Sequence, residues 1–143
     1  MRAIALAPLL FGLTSAWAPA WADDLAFRSP SGNIQCLLSD TADQPAAECR
    51  LTEGTDSFTA PPEGCEGDWG KRLNVTATGP GRRSCWSDAS FETRLDDTPP
   101  LTLPYGFGLS VGALHCRSGR AGVTCVNATG GGFSVSRAAQ TVF

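Results

Sequence analysis

The sequence predicts a small all-β domain, an antiparallel β-sandwich or barrel of short strands stapled by three disulfides. Three observations carry that prediction. Apolar residues alternate with small or polar ones at period two in several short windows. Sixteen glycines and ten prolines cut the chain into short apolar pieces, and no window holds an extended helical stripe. Six cysteines in 143 residues are an even set in a short chain, as in disulfide-stapled exported domains. The expected strand count is about seven or eight.

Met1 to Ala22 has the build of a secretory signal peptide. Arg2 supplies the positive charge, and residues 3–13 form an apolar run. That run is too short for a membrane-spanning helix, which takes about 20 residues. Ala20-Trp21-Ala22 fits the small-x-small cleavage rule, and Asp23-Asp24 follow. The expected organisation is a signal peptide, 1–22, and one disulfide-stapled β-domain, 23–143. No piece between Pro61-Pro62 and Pro99-Pro100 is long enough for a second core. The expected location is periplasmic or secreted, and the Ala- and Arg-rich, Lys-poor usage fits a bacterial source. No stable membrane anchor is expected after cleavage.

The strands follow in order. Ile34, Cys36 and Leu38 alternate, and Glu48 to Thr52 returns them. Leu73, Val75 and Ala77 alternate before Gly79-Pro80-Gly81, a turn, with Arg82 to Ser87 as the return strand. Phe107, Leu109, Val111 and Ala113 share one parity, which His115 continues. Val123 to Ala128 and Phe133 to Ser136 bracket a triple glycine at Gly130. Gly32-Asn33-Ile34-Gln35-Cys36 and Gly112-Ala113-Leu114-His115-Cys116 share a pattern, read as two similar stapled hairpins.

Cysteine pairing is expected to be sequential. Cys36 and Cys49 flank a polar loop, Cys116 and Cys125 flank a turn-rich one, and Cys65 with Cys85 remain. Each bridge adds roughly 3 kcal/mol in the loop-entropy description. There is no C-x-x-C pair and only one histidine, so neither a metal site nor a dithiol redox centre is expected, and no cofactor. With 11 Lys plus Arg against 14 Asp plus Glu, the chain carries −3, which gives no footprint for nucleic acid.

Catalytic candidates are sparse. His115 is read as a histidine at the end of a half-buried strand, because a general base needs partners. No G-x-S-x-G elbow accompanies the serines. Asp88, Glu92, Asp96 and Asp97 cluster in sequence and are expected to form a solvated acidic loop; a glycosidase would need two of them across one cleft. Ligand-binding candidates are Trp69, Tyr105 and Asn33. Trp69 lies between glycines and is expected to be exposed, Tyr105 combines a ring with a polar handle, and Asn33 closes a tight turn after Pro30. Trp86 is expected to pack on the neighbouring disulfide, and Arg137 to cap the core edge.

Phe27-Arg28-Ser29-Pro30-Ser31-Gly32-Asn33-Ile34-Gln35-Cys36, Leu103-Pro104-Tyr105-Gly106, Gly122-Val123-Thr124-Cys125-Val126-Asn127 and Gly130 to Arg137 run through most of the chain after residue 22. This set resembles an uncharacterised family of exported bacterial proteins. The resemblance implies a single secreted or periplasmic domain and no activity. Relatives often carry a histidine where this chain has Gly131, so a role for that imidazole is not expected here.

The expectation is a non-enzymatic exported protein that binds another protein or an envelope polymer such as a polysaccharide through its loops, with inhibition of a hydrolase as one form of that role. The alternative is a carboxylate-dependent hydrolase of extracellular or cell-wall glycan.

Overall fold

Two β-sheets face each other with one short helix on the outer side of the first. The computed structural model describes residues 24–40 and 45–143, so the expected signal peptide lies outside the described residues. The elements are β1 (Asp24–Arg28), β2 (Ile34–Ser39), β3 (Ala46–Leu51), β4 (Arg72–Thr76), β5 (Arg82–Arg83), α1 (Ser90–Asp97), β6 (Leu101–Thr102), β7 (Gly108–Val111), β8 (Leu114–Gly119), β9 (Gly122–Asn127), β10 (Gly132–Val135) and β11 (Gln140–Val142). The sheets have the orders β5-β4-β3-β2-β1-β6 and β11-β10-β9-β8-β7. All neighbours are antiparallel except β6, which lies parallel to β1. The architecture is a sandwich.

The two sheets repeat one plan. Phe27, Cys36, Cys49, Leu73 and Arg83 lie side by side across β1 to β5. Leu109, Cys116, Cys125, Phe133 and Val142 do the same across β7 to β11. Gly32 and Gly112, at φ 75° and 56°, turn the chain just before β2 and β8. This left-handed backbone region is where glycine is least strained. The sequence echo thus marks equivalent strands in two equivalent meanders.

Period-two alternation points one face of each strand inward. In β3, Ala47, Cys49 and Leu51 are buried; in β9, Val123, Cys125 and Asn127 are. Phe27, Leu38, Leu73 and Val75 from the first sheet meet Leu114, Val123, Phe133 and Val135 from the second. Cys36–Cys49 and Cys116–Cys125 bridge residues directly opposite each other, both with Cα atoms 4.1 Å apart. Side chains approach most closely at such non-hydrogen-bonded antiparallel pairs. Cys65–Cys85, with Cα atoms 5.7 Å apart, ties the long connection before β4 to the residues after β5.

The structure departs from the sequence expectation in several places. Among the described residues it has eleven strands, because β5, β6 and β11, of two or three residues each, add short pieces at the sheet edges, and β1 adds a strand before the first expected hairpin. The acidic segment is not a loop: Ser90–Asp97 is helical. Phe91 and Leu95, one helical turn apart, pack on Ala26 and Leu37 as a second small core. Eight residues give too short a stripe to read against the flanking prolines, and Thr98 is already extended before Pro99. The return strand after Gly81 ends at Arg83, and Trp86 instead bridges to Asp68. The parity running from Phe107 through His115 breaks at Gly112, where β7 turns into β8. His115 is therefore exposed on the outer face, while Leu114 and Cys116 point inward.

Candidate functional site

Two surfaces gather chemistry-bearing side chains. The first is a cleft of about 390 Å³ beside β4, lined by Trp69, Trp86, Arg50, Lys71, Arg72 and Asp56 among others. Trp86 is fixed by two main-chain hydrogen bonds: its N–H donates to the Asp68 carbonyl (3.0 Å) and Asp68 N–H donates back (2.6 Å). Its ring lies under Arg72, whose guanidinium carbon is 3.8 Å from the ring centroid and 4.8 Å from that of Phe91. Trp86 thus stacks on a cation. Trp69 stands at the mouth, 37% exposed. The Cys65–Cys85 bridge links the connection carrying Trp69 to the residue before Trp86.

Arg72 is buried and doubly paired, with Glu48 at 2.6 Å and Glu92 at 3.1 Å. Burial raises the Glu48 pKa above its ordinary value, against the pull of Arg72. Arg50 donates to Gln35 Oε1 from two nitrogens, at 2.9 and 2.6 Å, and lies 3.7 Å from Glu92. Lys71 pairs with Asp56 at 3.1 Å. Glu92 is therefore the one member of the acidic cluster that faces the first sheet. Asp88 has its pKa lowered by hydrogen bonding from the Ser90 hydroxyl and then from the Ser90 N–H, which donates to it at 3.0 Å, and Asp96 and Asp97 are exposed. Glu48 and Glu92 are both committed to Arg72, a placement suited to holding a cation.

The second surface is where the chain crosses from β6 to β7. Leu101, Tyr105 and Phe107 are 43%, 43% and 63% exposed. A turn, with Phe107 N–H donating to the Pro104 carbonyl at 3.1 Å, brings this connection round to β8. Tyr105, Arg120, Arg137, Ser29, Ser31 and Asn33 line a hollow of about 150 Å³ there, and Arg120 lies 5.9 Å from the Tyr105 ring centroid. Arg137 is largely exposed, 3.9 Å from Glu53, rather than capping the core. Asn33 donates to the Glu53 carbonyl and accepts from its N–H, both at 2.8 Å. Its amide thus clamps one loop to another.

The three residues singled out for ligand binding separate accordingly: Tyr105 and Asn33 share the hollow, and Trp69 belongs to the cleft. His115 Nδ1 contacts Ser110 Oγ at 2.8 Å on the outer face of the second sheet. Sequence reasoning missed Arg50, Arg72, Lys71, Asp56 and Arg120. Lys71 lies two residues from Trp69 in the chain, a usable signal. Arg50 and Asp56 reach the cleft from other segments, so no local pattern points to them. Asn127, which the sequence offered only within a motif of the family resemblance, is a buried hub. Its Nδ2 donates to the carbonyls of Thr76 (3.0 Å) and Gly79 (2.8 Å), and its Oδ1 accepts from Thr129 and Gly131.

Among the described residues no helix is long and apolar enough to cross a membrane. Three disulfides in a domain of this size fit an oxidising location. No curated protein and no solved structure matches the chain. A family model does match it, over residues 5–143, and the chain belongs to that family, the family of unknown function DUF6636.

Proposed function

We propose that this chain is an exported, non-enzymatic binding domain that grips another protein at the β6–β7 crossing. The observation that carries the reading is the run of exposed Leu101, Tyr105 and Phe107 beside Arg120 and Arg137. Exposed aromatic side chains flanked by arginine are the usual anchors of protein interfaces. The partner surface that fits is apolar at its centre and acidic at its rim, complementary to the two guanidinium groups. An envelope hydrolase engaged in this way would be inhibited. The three bridges favour a rigid surface, which lowers the ordering cost of association.

The test is crosslinking capture by the oxidised protein from its own envelope extract, beside Phe107→Ser, Arg120→Glu and Trp69→Ala variants. One dominant partner is expected, held by wild type and Trp69→Ala, lost by Phe107→Ser and Arg120→Glu, and weakened by salt. Capture that the Phe107 and Arg120 variants retain, or no capture at all, overturns the reading.

A further inference from the structure

We propose that the cleft between Trp69 and Trp86 is a second, separate binding site, and that its ligand is a neutral oligosaccharide. Three features point there. The first is the pair of indoles. Trp69 is exposed at the mouth of a space whose volume, about 390 Å³, falls within the ordinary range for small-ligand sites. The C–H face of a pyranose ring packs on such flat apolar surfaces, and its hydroxyl rim stays free for hydrogen bonds.

The second is the polar lining. Lys71 and Asp56, both in the lining and 3.1 Å apart, set a donor beside an acceptor, and Arg50 and Arg72 add guanidinium groups held in place by Gln35, Glu48 and Glu92. Vicinal hydroxyls donate and accept from one oxygen each, so they match paired groups of this kind. The three cations are balanced by Asp56, Glu48 and Glu92, which removes any general preference for an anion. An apolar peptide side chain laid here would desolvate the Lys71–Asp56 pair without replacing its water.

The third is preorganisation. The Cys65–Cys85 bridge and the paired Asp68–Trp86 hydrogen bonds hold the two indole-bearing segments together before any ligand arrives. A site already ordered loses little conformational freedom on binding.

The experiment titrates the oxidised full chain, by calorimetry, with cellohexaose, chitohexaose and maltohexaose, and with polygalacturonate as the anionic comparison. At least one neutral hexasaccharide is expected to bind. Trp69→Ala is expected to weaken it at least about tenfold, which is about 1.4 kcal/mol. Trp69→Phe is expected to recover part of the loss, and Tyr105→Ala to leave binding unchanged. Wild-type protein provides a readout free of folding artefacts: the indole N–H resonances of Trp69 and Trp86 shift on saccharide addition. The proposal is overturned by tighter binding of polygalacturonate, by equal binding in Trp69→Ala, by unmoved indole resonances, or by no neutral saccharide binding at a concentration on the order of 10 mM. Because Phe107 and Arg120 lie outside this cleft, its failure leaves the protein-binding reading standing.

Discussion

The sulfur atoms of Cys49 and Cys125 lie 3.9 Å apart across the middle of the sandwich. Each belongs to a different bridge, and both bridges are fully buried. Two disulfides, one from each sheet, therefore touch at the centre of the core.

This burial orders the bridges by reactivity. Thiol exchange requires access to a sulfur. Cys85 is exposed and Cys65 partly so. Mild dithiol treatment of the folded protein is expected to open Cys65–Cys85 first, with the other two bridges reduced only on unfolding. Differential alkylation followed by peptide mass spectrometry reads this directly; early labelling of Cys49 or Cys125 would contradict it.

Asn127 joins the turn after β4 to the turn after β9. Replacing it with alanine leaves the Thr76 and Gly79 carbonyls and the Gly131 N–H without their partner. Asn127→Ala is expected to lower stability by about 2–4 kcal/mol. Urea unfolding of the oxidised protein measures it, with the m-value unchanged.

Arg72 neutralises Glu48 and Glu92 and covers one face of Trp86. Arg72→Ala leaves Glu48 unpaired in a largely buried position and is expected to cost about 3 kcal/mol. Combining it with Glu48→Gln is expected to recover part of that loss, because the stranded charge is gone. A double-mutant cycle by chemical denaturation gives the coupling.

Two carboxylates act on the acid side with opposite sign. The Arg94 guanidinium donates to Asp24 and holds its pKa below the ordinary 3.8, so its stabilisation is present above that value and is lost as pH falls through the lowered one. Glu48 is raised above 4.5 by burial, so its ionisation removes stability as pH rises from there through the raised value. Asp24→Asn is expected to flatten the acid limb of the stability profile, and Glu48→Gln to abolish the fall above pH 4.5. Urea unfolding across pH 2–7 (roughly the span where carboxylates titrate) distinguishes them.

Hairpins were legible wherever the signal was local. Leu73 and Val75 alternate with polar neighbours, and β4 forms there because burying one face of a strand requires that period. The helix was not legible, since its stripe is only Phe91 and Leu95, and both depend on Ala26 and Leu37 for a surface to pack on. His115 was placed on the wrong parity because a two-residue turn at Gly112 resets the alternation. Of the sites, the sequence offered Trp69 and Tyr105 as isolated aromatics. Their surroundings, Arg50 and Asp56 in one case and Arg120 and Arg137 in the other, come from distant segments.

By itself the sequence determined the all-β class, the short strands and the cysteine-rich core, because these depend on period, turn residues and composition, all properties of neighbours in the chain. The tertiary structure alone decided that two equivalent meanders stack with Cys49 against Cys125, that Arg72 lies between Trp86 and Phe91, and that Trp69 opens onto a charge-balanced cleft. Those relationships join residues far apart in the chain. Packing of the two sheets creates them, and no local pattern encodes which distant side chains will meet.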